Sequence, residues 1–123
     1  MNAENNQKQE KIGIIGGGEI GTNLLKIFLN MDLIQVKYVA DINLDSPGIV
    51  LAKENEINTT SDIMEVITDR NLNIILEGTG SEKVLKKIRD NKPSSTEVIS
   101  GECAYFIFNI ITEYKKFQSN LLT

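Results

Sequence analysis

Residues 12–21 read Ile12-Gly13-Ile14-Ile15-Gly16-Gly17-Gly18-Glu19-Ile20-Gly21. A short β-branched run, the mark of a strand buried on both faces, stops at three glycines. Apolar Ile20, Leu24, Ile27 and Phe28 then recur at helical spacing, so a helix follows the turn directly. Gly16, Gly18 and Gly21 fall in the spacing G-x-G-x-x-G, unspecific alone but informative between a strand and a helix. Gly16 makes the tight exit from the strand. Gly18 leaves the main chain bare where a Cβ would collide with a phosphate, and Gly21 lets the helix pack closely on the sheet. The first-turn residues Glu19 and Ile20 bring unpaired N–H groups and the positive end of the helix dipole to an anion. The Glu19 carboxylate is expected to face solvent.

Working outward, Gln35–Ala40 reads as a second strand with Asp41 at its end, about twenty residues past Gly21. An acidic residue there accepts hydrogen bonds from an adenosine ribose, and its charge repels a 2′-phosphate. No Arg occurs in Ile42–Gly48 to hold such a phosphate. The expected ligand is therefore a dinucleotide, NAD (NADH) in preference to NADP, with Asp41 and Ile42 at its adenosine end. Another adenosine ligand, such as AMP, ATP or S-adenosylmethionine, fits the same turn and acid. A Rossmann-like potassium-channel regulatory module ranks behind these.

The remaining chain alternates. Ser46-Pro47-Gly48 opens a helix over about Gly48–Asn55, with Pro47 in its first turn and Ser46 or Asp45 as its cap. A third strand covers Ile57–Thr60. Ser61 or Asp62 caps a helix over Ile63–Arg70, with Glu65 three residues after Asp62 as in a capping box. Asn73–Glu77 is strand four, and Ser81 caps a helix through Asp90. Pro93 breaks the chain, Glu97–Ser100 is strand five, and a last helix runs from about Glu102 to Gln118. Strict alternation implies parallel strands joined by right-handed crossovers. The predicted fold is α/β: a three-layer, doubly wound Rossmann-like sheet of about five parallel strands in order 3-2-1-4-5. Residues 1–10, mostly polar with almost nothing to bury, are expected to be a disordered tail, 11–118 the single domain, and 119–123 a C-terminal tail.

Gly78-Thr79-Gly80 ends strand four on the rim beside strand one, where open α/β sheets bind ligands. These three residues are expected to flank the pyrophosphate or the nicotinamide ribose, or else to form a plain β-α turn. Ser100-Gly101-Glu102 lies on the same rim, where Glu102 suits the first turn of the last helix. Cys103 next to it is expected to be a buried structural thiol, since no histidine is present to activate it. The last helix carries Ala104, Tyr105, Phe106, Ile107, Phe108, Ile110, Ile111, Tyr114 and Phe117, more than one apolar stripe. A sheet face buries one stripe, so the surplus predicts a homodimer or an adjoining domain, or a helix capping an open sheet edge.

Composition narrows the function. The chain has 123 residues, 13 Lys and Arg against 17 Asp and Glu, and no His. One domain fits that length, and such a domain buries roughly two-thirds of its unfolded surface. A net charge of −4 opposes general nucleic-acid binding. Without His there is no His-ligated zinc and no Ser-His-Asp triad, and no catalytic or metal-binding residue is assigned. The single cysteine excludes an internal disulfide and, with no signal peptide or membrane segment in view, points to a cytoplasmic setting.

Ile12–Gly21 with Tyr38-Val39-Ala40-Asp41 resembles the nucleotide-binding half of the Gfo/Idh/MocA oxidoreductases and of homoserine and aspartate dehydrogenases. Asp41–Thr60 resembles the N-terminal domain of acylating acetaldehyde dehydrogenases: an Asp ending strand two, a Ser-x-Gly turn, a Leu-Ala helix and an Ile-x-Thr-Thr strand. Similar single domains also occur attached to bacterial signalling proteins. The resemblance implies an NAD-binding Rossmann domain. It does not extend to catalysis. Ser100-Gly101-Glu102-Cys103 stands where Gfo/Idh/MocA enzymes carry Glu-Lys-Pro, and Cys103 does not match the catalytic cysteine of the acylating enzymes. Two functions are thus expected: a stand-alone NAD(H)-binding module that senses or regulates, or the nucleotide-binding component of an oxidoreductase whose substrate domain is another chain.

Overall fold

The structure is a computed structural model and describes residues 8–122. Its elements are β1 (Glu10–Ile15), α1 (Glu19–Phe28), β2 (Ile34–Ala40), α2 (Pro47–Glu54), β3 (Asn58–Thr60), α3 (Ile63–Ile67), β4 (Ile74–Glu77), α4 (Glu82–Asn91), β5 (Glu97–Ile99) and α5 (Gly101–Leu122). The five strands form one parallel sheet in the order β3-β2-β1-β4-β5, as the alternation predicts.

Side chains alternate across the sheet and divide the core in two. Ile12, Ile14, Val39 and Leu76 meet Leu24, Leu25 and Phe28 of α1, Ile49 and Ala52 of α2, and Ala104 of α5. On the other face Ile15, Ala40 and Ile75 meet Val66 and Ile67 of α3 and Ile88 of α4, with Leu72 between. Each fully buried aliphatic side chain stabilises the fold by roughly 1.5–3 kcal/mol. The core therefore pins the central strand β1, and with it the turn that leaves β1, between two helical layers.

Several ends differ from expectation. Part of the expected N-terminal tail is ordered: Gln9 donates to the Asp32 carbonyl at 3.0 Å, and the Glu10 N–H donates to Leu33 O at 2.8 Å. Residues 1–7 lie outside the described residues. α3 stops at Ile67, where Thr68 turns its hydroxyl back onto Met64 O at 2.7 Å. Asp62 caps α3 by accepting from the Met64 N–H at 3.0 Å, but the reciprocal half of a capping box is not made. The Asp62 N–H donates to Thr60 Oγ1 instead, at 3.0 Å. Ser81 caps α4 through the Val84 N–H at 3.3 Å. α5 continues to Leu122, through most of the stretch expected as a C-terminal tail.

One device lies outside the core. β1 and β2 slip register between Ile12 and Gly13, so that Lys37 opposes no β1 residue. Such a bulge re-aims the side chain it carries. Lys37 reaches Asp69 after α3 at 2.8 Å, with Asp69 only 10% exposed. Burial pushes the Asp69 carboxyl up, but the Lys37 ammonium and the Asn71 N–H outweigh it and hold the group below the usual carboxylate range. The hydrogen bond that Lys37 donates to Asp69 is the main cause that raises the lysine above its ordinary value. A carboxyl depressed by folding adds stability that is complete above its ordinary pKa and is lost as pH falls through the lower folded value. Asp69→Asn is therefore expected to cost about 1–2 kcal/mol at neutral pH. The gap from wild type should close in acid, as urea unfolding over a pH series would read.

Candidate functional site

The C-terminal ends of β1, β2, β4 and β5 share one rim. Over it lies the turn Gly16–Gly18, held from three sides. The Gly16 N–H donates to Ala40 O at 2.7 Å, and Gly16 adopts φ +104°, a left-handed backbone that favours glycine. The Gly17 N–H donates to Asp41 Oδ2 at 2.8 Å. The Gly17 carbonyl accepts from the Gly48 N–H at 2.8 Å and from the Thr22 hydroxyl at 3.1 Å. Gly17 thus ties the first helix, the end of β2 and the start of α2 into one unit.

The three motif glycines have different surroundings. A Cβ at Gly21 would strike the Gly16 carbonyl, so that glycine serves the packing of α1 on the turn. A Cβ at Gly18 would meet nothing within 4 Å. Nothing in the protein requires a glycine there, and the bare main chain faces open space. Gly18 is also the N-cap of α1 and has no side chain with which to cap it. The first-turn N–H groups of Glu19, Ile20 and Gly21 therefore keep their capacity for an outside acceptor. Glu19 is exposed and Ile20 half-buried.

Asp41 follows the last residue of β2, on the rim beside the glycine turn. Its other oxygen, Oδ1, accepts from the Asn43 N–H at 2.9 Å. A carboxylate has about four acceptor positions, so two remain for hydroxyl donors. Ile42 next to it is 87% exposed on the rim. Ser46 is the N-cap of α2, as one alternative had it, but its side chain makes no capping bond. Its hydroxyl turns toward Gly17 instead and is buried without a hydrogen-bond partner.

Gly78, Thr79 and Gly80 follow β4 directly beside the glycine turn. The Gly78 N–H donates to Ile15 O at 2.7 Å, and Gly80 takes φ +73° with open space at its Cβ position. Sequence reading missed what shapes this segment. Glu77, 1% exposed at the end of β4, accepts from the N–H groups of Thr79 at 2.6 Å and Gly80 at 3.0 Å, and from the Thr79 hydroxyl. A Cβ at Gly101 would lie 3.2 Å from Glu77 Oε2, the oxygen that accepts from Gly80, so the first residue of α5 closes over it. An acidic last residue on a buried strand was the available signal.

Beyond Gly80 lies a hollow of about 380 Å³ lined by Ile20, Gly78, Thr79, Gly80, Gly101, Glu102 and Tyr105. Tyr105, counted in the sequence only as surplus apolar surface, lines it. Glu102 is in the first turn of α5, as expected. Cys103 is exposed, not buried: α5 docks through Ala104 and Phe108, which turns the preceding residue outward. Among the described residues no cluster of three or more acidic or cysteine side chains is arranged to hold a metal, and no helix is long and apolar enough to cross a membrane.

The strand order and the helices on both faces are those of a Rossmann-like α/β fold. No family model matches the chain. Over 68 residues it is 37% identical to acetaldehyde dehydrogenase of Desulfitobacterium hafniense (strain DSM 10664 / DCB-2), covering 54% of this chain and 23% of that protein. It superposes on GenD2 from gentamicin A biosynthesis, solved in complex with NAD, with a TM-score of 0.63 at 16% identity over 76% of this chain and 26% of that one. Apo scyllo-inositol dehydrogenase from Lactobacillus casei gives 0.62 at 19% identity, over 76% and 28%. The chain thus spans about a quarter of the length of each of these proteins. The expected resemblance to dehydrogenases is found in both sequence and structure, and at these identities the structural likeness establishes the fold.

Glu77→Gln offers one acceptor oxygen where the carboxylate offers two, so one of the Thr79 and Gly80 donors loses its partner. The substitution is expected to destabilise the chain by about 1–3 kcal/mol in urea unfolding. An unchanged midpoint would show that the turn does not depend on the carboxylate.

Proposed function

We propose that this chain binds NAD(H) on the rim formed by Gly16–Gly21, Asp41 and Gly78–Gly80, and that it holds the coenzyme to sense or regulate rather than to turn it over alone. The observation that carries the reading is the empty Cβ space at Gly18 beneath the uncapped end of α1, with a carboxylate fixed alongside. In this reading the pyrophosphate lies against Gly18 and the N–H groups of Glu19, Ile20 and Gly21. Neutral main-chain donors and the helix dipole meet its charge. The Asp41 oxygens take the ribose hydroxyls, and Ile42 lies against the adenine. Gly78, Thr79 and Gly80 flank the nicotinamide half. Asp41 disfavours a 2′-phosphate by charge, which sets NADH above NADPH. GenD2, of the same fold, was solved with NAD. Sensing needs the oxidised and reduced forms to favour different states of the chain.

A second reading, the nucleotide-binding component of an oxidoreductase with its substrate domain on another chain, is favoured by the hollow beside Gly80. Tyr105 and Glu102 line it, and in this reading the nicotinamide would lie against them. The bound coenzyme would then supply the hydride chemistry, and this chain would supply binding and orientation. Steady consumption of NADH by the purified chain on addition of small carbonyl compounds would overturn the sensing reading.

Two substitutions test the site by calorimetry. Gly18→Val puts a side chain into the phosphate space at a position where a Cβ meets no non-neighbouring atom within 4 Å, so it is expected to weaken NADH binding at least ~100-fold while the melting temperature stays near wild type. Unchanged affinity would refute the placement. Asp41→Ala is expected to narrow the preference for NADH over NADPH by roughly 10-fold or more, the value of a charge-assisted hydrogen bond. Any loosening of the Gly17 turn affects both coenzymes and cancels in that ratio.

A further inference from the structure

Only part of α5 belongs to the body of the domain. Ala104 is buried and Phe108 packs on the core, while every residue from Glu113 to Leu121 is exposed. Helices in proteins are held mainly by packing of an apolar face, which this half lacks in a single copy, so its apolar residues point to a neighbour. Its surface indicates which. Phe106 is 63% exposed, Ile110 50%, Tyr114 58%, Phe117 58% and Leu121 69%. With 3.6 residues per turn these five fall within an arc of about 80°, roughly a third of a turn away from the buried Ala104–Phe108 face. From Ile110 the apolar steps to Tyr114, Phe117 and Leu121 alternate between four and three residues, the repeat of a coiled-coil seam. The stripe is too narrow for a sheet face.

We propose that α5 pairs with α5 of a second copy of this chain, stripe against stripe across a two-fold axis. The stripe carries no charge and is complementary to itself in aromatic and aliphatic surface, as a two-fold interface requires. Five side chains of this size, half to two-thirds exposed, offer on the order of 700 Å² per copy, against about 800 Å² per partner in a stable dimer. A lipid surface is the poorer match. α5 carries two lysines, Lys115 and Lys116, balanced by Glu102 and Glu113, not the basic polar face that anionic membranes select.

Sedimentation equilibrium of the full chain across the micromolar range tests the pairing without reference to any coenzyme. The expected result is a species of twice the 13.7 kDa chain mass. The double substitution Ile110→Glu with Phe117→Glu, at positions exposed in a single copy, should weaken association at least ~100-fold with the strand signal in circular dichroism retained. Should that variant fail to fold, Tyr114→Lys is read in the same way. A wild-type chain that stays monomeric throughout overturns the proposal. So does a dimer whose dissociation constant these substitutions leave unchanged, or a monomer that co-sediments with phosphatidylserine vesicles.

Discussion

The hydrogen bond from the Gly17 N–H to Asp41 Oδ2, 2.8 Å long, is the constraint on which the rim depends. It joins the turn after β1 to the end of β2. The two bonds to the Gly17 carbonyl, from Gly48 and Thr22, lock the same peptide to α2 and α1. A glycine-rich segment has more conformational freedom to lose than any other. Three fixed partners around one residue remove that freedom before a ligand arrives. The space above Gly18 is therefore already shaped, and binding there need not bear the entropy of ordering a loop.

The opposite side of the rim is shaped by a different means. Glu77 is a buried carboxylate whose acceptors are used on the backbone of the next turn, and Gly101 closes over it. This ties Gly78–Gly80 to the first turn of α5. The helix that carries Tyr105 and Glu102 into the hollow also carries the Phe106–Leu121 stripe away from it. Hollow and stripe thus share one helix, whose first turns dock on the sheet while the stripe lies beyond it.

Much of this was legible in the sequence, because the signals that fix a doubly wound sheet are local. The β-branched run before Gly16, the spacing of the glycines and Asp41 about twenty residues on each restrict the backbone where they stand. Strict alternation then leaves few strand orders open. What was not legible depends on which side of an element docks. Cys103 and Ala104 are neighbours in sequence, and only the phase of α5 on the core decides that Ala104 is buried and Cys103 exposed. Ser46 sits where a cap belongs, but contact with Gly17 turns its hydroxyl inward. Glu77 looks like the polar end of a strand until the turn that wraps its carboxylate is seen. The first turn of α5, which brings Tyr105 to the hollow, is set by the same tertiary contact.

The most direct measurement is a nuclear magnetic resonance titration of the isotope-labelled chain with NADH, following each backbone amide. The largest shifts are expected on Gly16–Gly21, on Asp41 and Ile42, and on Gly78–Gly80, while amides around Lys37 and Asp69, away from the rim, stay in place. Saturable shifts confined elsewhere, or a spectrum unmoved by excess coenzyme, would contradict this placement.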